Sequence, residues 1–403
     1  MAAPTSSALK GFKIIDLSTI AAGPFCTQIL GDHGADVIKV EPPFGEIGRS
    51  MGPSYNEHGF SSHYFSLNRN KRSVSLDLAK PDGVRVLKRL LADADVLIDN
   101  FKPGGMEKFG LAYDSLEKEF PRLVVAHVTA FGKVGPLGGL PGVDPVGQAL
   151  SGYMSWQGEP GTPPQRIAVS LTDLTTGLFI TSAILMALHE RNRSGRGQEI
   201  EVTLLDASLQ LTHPFASDWF MSGNLPKKIG NRHPSSAPYN VYKCKDGFMI
   251  LCCTNNGQWR KLCQMLGKPE MADDPRFKEL RGRFTNQDAI DAEISRLCAD
   301  KPKSEIAMAL LKAGIPAAPI YDLGEALTNP HLKARDMVFE DPSIGYRMVG
   351  TPIKFSRTPG RLHQRPARFA EHNRPVLKAA GFSDAEIDAL IAGRVVFDTM
   401  QKA

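Results

Sequence analysis

Short apolar runs alternate with helix-length amphipathic stretches from the start of this chain, and that alternation is the strongest limit on what it can fold into. Residues 11–17 read as a strand, 25–33 as a helix and 36–40 as a second strand, with Gly34 where a helix would end in a left-handed turn. The pattern returns with a strand at 73–76, a helix at 82–92 opened by Pro81, and strands at 95–99 and 123–128. Strands joined by helices are strands running the same way, because a parallel pair needs a long crossover. The expectation is an α/β fold whose parallel or mostly parallel sheet is covered on both faces.

Residues 131–164 are rich in Gly and Pro and read as loop, with one short helix near 147–154. A strand is expected at 166–170, the clearest helix of the chain at 174–191, and a strand at 199–204 followed by a helix that Asp206 can cap. From about residue 226 the texture changes. Asp246-Gly247 separates two β-rich stretches as a hairpin turn does, and helices follow at 258–266, 286–299 and 303–313. This divides the chain into a large α/β domain (1–225), a smaller α+β domain (226–325) and a C-terminal segment (326–403) with a last helix at 384–391 capped by Ser383.

Of the 403 residues, 48 are basic and 43 acidic, a formal charge of +5 spread along the chain with no basic tail. That balance suits an anionic small molecule and argues against a nucleic-acid partner. Six cysteines without a Cys-x-x-Cys pair read as reduced, buried thiols. No apolar run is judged to reach the roughly 20 residues that span a bilayer, and residues 1–10 show neither a secretory nor an arginine-rich leader, so no membrane and a cytoplasmic location are expected. His233 has no second histidine at ligand spacing, and His189 and His213 sit in helical contexts, so no metal is expected. No G-x-G-x-x-G or G-x-x-x-x-G-K-[ST] pattern occurs, and Ser208 and Ser236 lack a G-x-S-x-G setting.

Four places can carry chemistry. Asp173 precedes Leu174-Thr175-Thr176-Gly177 and is read as the N-cap of the long helix. In one reading its carboxylate only satisfies free N–H groups. In the other, a carboxylate kept anionic at a helix start beyond a strand is a nucleophile for an activated acyl carbon, with backbone N–H groups receiving the oxyanion. Gly177, one turn on, would admit a close backbone. The loop Ala21-Ala22-Gly23-Pro24 opens a helix and is an anion-binding candidate. Arg69, Lys71 and Arg72, then Lys102 and Lys108, can meet nucleotide phosphates or simply be solvated charge. Residues 230–239 describe a shaped lid.

Several linked motifs carry a resemblance. Gly23-Pro24, Gly34-Ala35-Asp36-Val37-Ile38-Lys39-Val40-Glu41-Pro42, Asn70-Lys71-Arg72-Ser73 and Ala94-Asp95-Val96-Leu97-Ile98-Asp99-Asn100-Phe101-Lys102-Pro103-Gly104 are similar to the family III CoA-transferases, the group of formyl-CoA transferase and the carnitine and bile-acid CoA-transferases. Gln148-Ala149-Leu150-Ser151-Gly152, Gly195-Arg196-Gly197-Gln198, Gly230-Asn231-Arg232-His233-Pro234 and Gly314-Ile315-Pro316-Ala317 extend it through nearly the whole chain.

The resemblance implies a Rossmann-like large domain, a small α+β domain, an interlocked homodimer and Asp173 as the catalytic residue in its Asp-x-x-x-Gly setting. It further implies CoA contacts from Ala21, Ala22, Gly23, Lys71 and Arg72, with Lys102 and Lys108 as further candidates. Thr129 and Phe131 stand where formyl-CoA transferase has a lysine and a tyrosine, and Gly230, Asn231, Arg232 and His233 stand in place of its glycine-rich lid, so a different acyl group is expected. The implied activity is exchange of CoA between an acyl-CoA, of succinyl-CoA type, and a carboxylic or dicarboxylic acid, through an aspartyl mixed anhydride and an aspartyl-CoA thioester. CoA thioester is substrate, and no cofactor is permanently bound. Arg166, Arg232 and His233 are the cations offered to a second carboxylate. Related α-methylacyl-CoA racemases place a histidine before an aspartate where this chain reads Val143-Asp144, which removes their base. A racemase-like enzyme and a noncatalytic CoA-binding protein are the competing readings.

Overall fold

Six short strands rich in Val and Ile form one parallel sheet. They are β1 (Lys13–Asp16), β2 (Asp36–Glu41), β3 (Lys71–Ser75), β4 (Val96–Asp99), β5 (Val124–Thr129) and β6 (Glu199–Thr203), in the order β3-β2-β1-β4-β5-β6. That order reverses between β1 and β4, as in dinucleotide-binding sheets. The computed structural model describes residues 7–56, 59–341 and 346–402; Met1–Ser6, part of the segment expected to lack a leader, lie outside them.

Helices interleave with the strands: α1 (Ala22–Asp32), α2 (Ser62–Leu67), α3 (Pro81–Leu91), α4 (Tyr113–Glu119), α5 (Asp144–Leu150), the one-turn α6 (Tyr153–Trp156), α7 (Leu171–Ser194) and α8 (Leu204–Gln210). In α3, Pro81 and Asp82 suit the first turn and Lys88 and Arg89 the last, while Val86, Leu87, Leu90 and Leu91 form its buried stripe. On the other sheet face α1 and α7 bury Cys26, Leu30, Ile180, Ile184 and Ala187 against Ile14, Val37, Val96 and Val124.

The chain divides into two compact units. One comprises Met1–Tyr153, Arg166–Ser217 and Lys333–Ala403, the other Met154–Gln165 and Asp218–Leu332. The C-terminal stretch thus belongs with the sheet: α16 (Asn373–Ala379) and α17 (Asp384–Ala392) pack Val376, Leu377, Ile387 and Leu390 on the α3 face. Ser383 and Glu386 form the capping box of α17. The smaller unit holds α9 (Phe215–Ser222) from Asp218 onward, the expected hairpin β7 (Tyr239–Cys244) and β8 (Gly247–Cys252), and a third strand β9 (Ala317–Pro319). Trp259, Leu262, Ile290, Ile294 and Leu310 from α10 (Asn256–Met265), α12 (Gln287–Cys298) and α13 (Lys303–Lys312) are buried there.

Several expectations are corrected. Residues 166–170 form no strand. Thr203, not Asp206, caps α8, accepting a bond from the Asp206 N–H. α7 is longer at both ends than 174–191 and is apolar enough, over 18 residues, to cross a membrane by length and composition, contrary to the reading of the sequence. Half of that window is buried, against α1 and the sheet.

Buried charge gathers on Asp16 at the carboxyl end of β1, which faces Lys39 of β2 and Lys71, the first residue of β3. Asp16 accepts bonds from Ser18 N, Ser18 Oγ, Thr27 Oγ1 (2.6 Å) and Lys71 Nζ (3.2 Å), and Lys39 Nζ donates to Ser18 O at 2.7 Å. Burial alone would raise the Asp16 pKa, but Lys39 and Lys71 hold it well below its usual range. Removing one member of such a set strands the others without water. Asp16→Ala is therefore expected to cost roughly 3–5 kcal/mol, read as a fall in the chemical-denaturation midpoint with unchanged slope.

Candidate active site

A parallel crossover starts at the carboxyl edge of the sheet, so α7, which joins β5 to β6, begins there. Its first residue is Leu171 and Ser170, at the N-cap, offers no side-chain bond. Asp144, in the first turn of α5 and buried, supplies the cap from outside: Oδ2 accepts from Thr172 N at 2.7 Å, Thr172 Oγ1 at 2.8 Å and Asp173 N at 3.4 Å. Asp144 Oδ1 accepts from Gln148 Nε2 at 2.7 Å, and Gln148 Oε1 from Ile167 N at 2.8 Å. Both oxygens are therefore committed.

Asp173 is the third residue of α7 rather than its N-cap, which corrects the reading from sequence. With the cap provided by Asp144, the Asp173 carboxylate has no hydrogen bond or ion pair among the described residues. Burial first, and then the neighbouring Asp144 charge, push its pKa up to about 7. It is half ionised near neutrality instead of being held fully anionic.

One turn on, Gly177 meets the start of α1. A Cβ there would stand 2.8 Å from Ala22 O and 3.0 Å from the Phe25 ring. Glycine is what allows the two helices to touch at that point. Asp173 and Gly177 share a helix face at i, i+4, so the carboxylate lies one turn beyond the contact, beside the beginning of α1. Ala21 and Ala22 are buried, Ala21 gives α1 no side-chain cap, and Pro24 at its third position has no N–H.

The other predicted residues separate. Lys71 and Arg72 lie within β3, not before it. Lys71 is buried, and its ammonium is spent on Asp16, Pro24 O (2.9 Å) and Asn68 Oδ1 (2.9 Å). Burial, opposed by Asp16, brings its pKa down to about 8. Lys71 is thus a scaffold cation with nothing left for a phosphate. Arg72 is engaged bidentately by Asp36, and Arg69 by Asp32. Lys102 and Lys108 are exposed and unpaired among the described residues. Lys102 lines a small cleft with Asp99, His127, Thr129, Lys133 and Glu199.

Thr129 serves its own turn, accepting from Gly132 N at 2.9 Å, and Phe131 packs on Gly142, whose Cβ would lie 3.0 Å from the ring. That contact braces the segment leading to Asp144. In the smaller unit, Gly230 adopts φ +62° and its N–H reaches Gly158 O. Asn231 is exposed. Arg232 is paired with Asp288 (2.6 Å) and Asp291 (2.9 Å), and the His233 ring lies 5.0 Å from that of Tyr239. Arg232 is therefore already neutralised, which corrects its reading as a free cation for a second carboxylate. Among the described residues the Arg166 guanidinium bonds only backbone oxygens of Ile167 and Ala168, and it is exposed.

The sequence profile of CoA-transferase family III matches residues 9–373. The chain belongs to CoA-transferase family III. It is 39% identical over 86% of its length to an acetyl-CoA:oxalate CoA-transferase of Acetobacter aceti, covering 88% of that protein. It is 37% identical over 92% of its length to a succinate–glutarate CoA-transferase of Agrobacterium fabrum, covering 94% of it. A crystal structure of a CAIB/BAIF family protein from Brucella suis superposes with a TM-score of 0.85 at 37% identity, over 93% of this chain and all of that one. The chain is thus an enzyme that transfers CoA between an acyl-CoA and a carboxylic acid. Position 143, next to Asp144, is an exposed valine.

Sequence reasoning missed two features. Asp144 stands out in the sequence only as the residue after Val143, although Asp-Pro at a helix start is a capping signal. His127, whose Nδ1 lies 2.7 Å from Asp99 and Nε2 3.2 Å from Glu199, had no signal at all, because strand pairing brings these three together. Burial would keep that ring neutral, but the Asp99 bond outweighs it and raises the pKa.

A carboxyl whose folded-state pKa is raised lowers stability as pH climbs from its unfolded value of 3.8 to about 7. Asp173→Asn should therefore stabilise the transferase at pH 8.5 by roughly 1–3 kcal/mol and by less at pH 5.5, as seen in denaturant melts at the two pH values.

Proposed function

We propose that Asp173 is the nucleophile of this transferase and that the first turn of α1, Ala21–Gly23, with Lys102 and Lys108, receives the CoA thioester. The observation that carries the reading is the unpartnered Asp173 carboxylate at the start of a helix whose cap is provided by another residue. A group that only capped the helix would be using its own oxygens to do so.

The ionised carboxylate attacks the thioester carbon, an Asp173–acyl anhydride forms and the C–S bond breaks, releasing CoA thiolate. Thiolate then attacks the Asp173 carbonyl, giving aspartyl-CoA thioester and the free donor acid. The acceptor carboxylate takes the thiolate's place at Asp173, and thiolate attacks the acceptor carbon of the new anhydride to give the second acyl-CoA and regenerate Asp173. One thioester is consumed and one made, so the bond energy is conserved. Backbone N–H groups of the α1 turn, directed by the helix dipole, are suited to the oxyanion of each addition.

The acids are small carboxylates or dicarboxylates with a succinyl-CoA-type donor, a choice supported by the relatives that exchange CoA with oxalate or between succinate and glutarate. The protein works as a homodimer. Leu178, Phe179, Leu185 and Met186 form an exposed stripe on α7, 52% and 69% exposed at Leu178 and Met186, and a second copy is what the family would lay over it. A cytoplasmic location is supported by six cysteines that are all free thiols.

Asp173→Ala should lower exchange of labelled acid into acyl-CoA by roughly 10³-fold or more, with acyl-CoA binding by calorimetry retained. Unchanged exchange would remove the nucleophile. The rate of the first acyl transfer should rise with pH through about 7 as Asp173 ionises, and Asp144→Asn, by removing the adjacent charge, should move that midpoint down.

A further inference from the structure

Between β1 and α1 the backbone donors of residues 17–20 are all committed. Leu17 N donates to Ile98 O at 2.8 Å, Ser18 N to Asp16 Oδ1 at 2.9 Å, Thr19 N to Asn100 Oδ1 at 2.9 Å and Ile20 N to Glu46 Oε2 at 3.2 Å. Asn100 grips Thr19 from both sides, since its Nδ2 also donates to Thr19 O at 2.8 Å. Glu46 is buried, lies 3.5 Å from Lys39 and leaves its second oxygen, Oε1, without a partner among the described residues.

What this clamp holds is unusual. Ile20 has φ +66°, a left-handed conformation that costs a side-chain-bearing residue about 1–2 kcal/mol and is an outlier for a β-branched one. Such a conformation persists only where the surroundings over-determine it. The loop also folds tightly on itself, because a Cβ at Gly23 would lie 2.3 Å from that of Ser18. Asn100 follows β4 and Thr19 follows β1, so the clamp bridges the two strands at which the sheet order reverses, where such sheets have their ligand crevice. Ala21 and the first turn of α1 come immediately after Ile20.

We propose that Asn100 and Glu46 are positioning residues that hold Ile20 left-handed, so that the turn into α1 is set before the thioester arrives. The inference rests on the reading of that turn as part of the thioester site. An isoleucine released from the clamp relaxes to negative φ, and the peptide planes leading into Ala21–Gly23 rotate with it. A glycine has no such preference and stays where the rest of the loop puts it.

The difference defines the test. Steady-state exchange and melting temperature are measured for the full-length enzyme and for Asn100→Ala, Ile20→Gly and the double variant. Asn100→Ala is expected to raise KM for acyl-CoA roughly 10-fold or more, with a smaller change in kcat. Adding Ile20→Gly should recover most of that loss, a strong non-additivity. A double variant that loses the product of the two single deficits, or an Asn100→Ala enzyme with wild-type kinetics, overturns the proposal. If Asn100→Ala does not fold, Asn100→Asp replaces it: the acceptor for Thr19 N survives while a carboxylate faces Thr19 O, and the same rescue is expected. Persisting exchange in Asp173→Ala would sink the site reading separately, whatever the rescue shows.

Discussion

A parallel sheet starts every crossover at the same edge, and the proposed site of this transferase is assembled from that constraint. The beginnings of α1 and α7 and the loops after β1, β4 and β5 emerge at one rim because all six strands point there. α1 and α7 then have to lie together on one sheet face, and Gly177 lets them do so at van der Waals distance from Ala22. Without that contact Asp173 would stand a side chain's width further from the α1 turn.

Charge at the rim is managed in two ways. Asp16, Lys39 and Lys71 are buried and satisfied, so they brace the strand ends and are not offered to a ligand. Asp173 is the reverse case, partly buried beside a second carboxylate and unpaired. Asp144 links the two strategies, since its oxygens quiet the helix start while its charge adds to burial in raising the Asp173 pKa. Two aspartates thus differ in partners and in proton affinity through their surroundings alone.

The alternation of apolar runs was enough to recover the sheet, the hairpin at Asp246-Gly247 and the α17 cap at Ser383, because each depends on a local period or on turn chemistry. Element ends were less legible. Lys71 reads as a loop residue because a lysine normally stays with water, and only its three buried acceptors explain its place as the first residue of β3. The 166–170 strand failed for the converse reason: its sequence suits extension, but Gln148 takes the Ile167 N–H and no neighbouring strand is there to pair with it.

Sequence by itself determined the α/β class, the family and the aspartate in its Asp-x-x-x-Gly setting, since period, order of motifs and residue type are all written along one chain. Tertiary structure alone decided which charges are free. Whether the Asp173 carboxylate is tied up as a cap or left free depends on Asp144, 29 positions away, and whether Arg232 is a free cation depends on Asp288 and Asp291. Coulomb energy and desolvation follow distance in space and access of water, and neither can be counted from spacing in sequence.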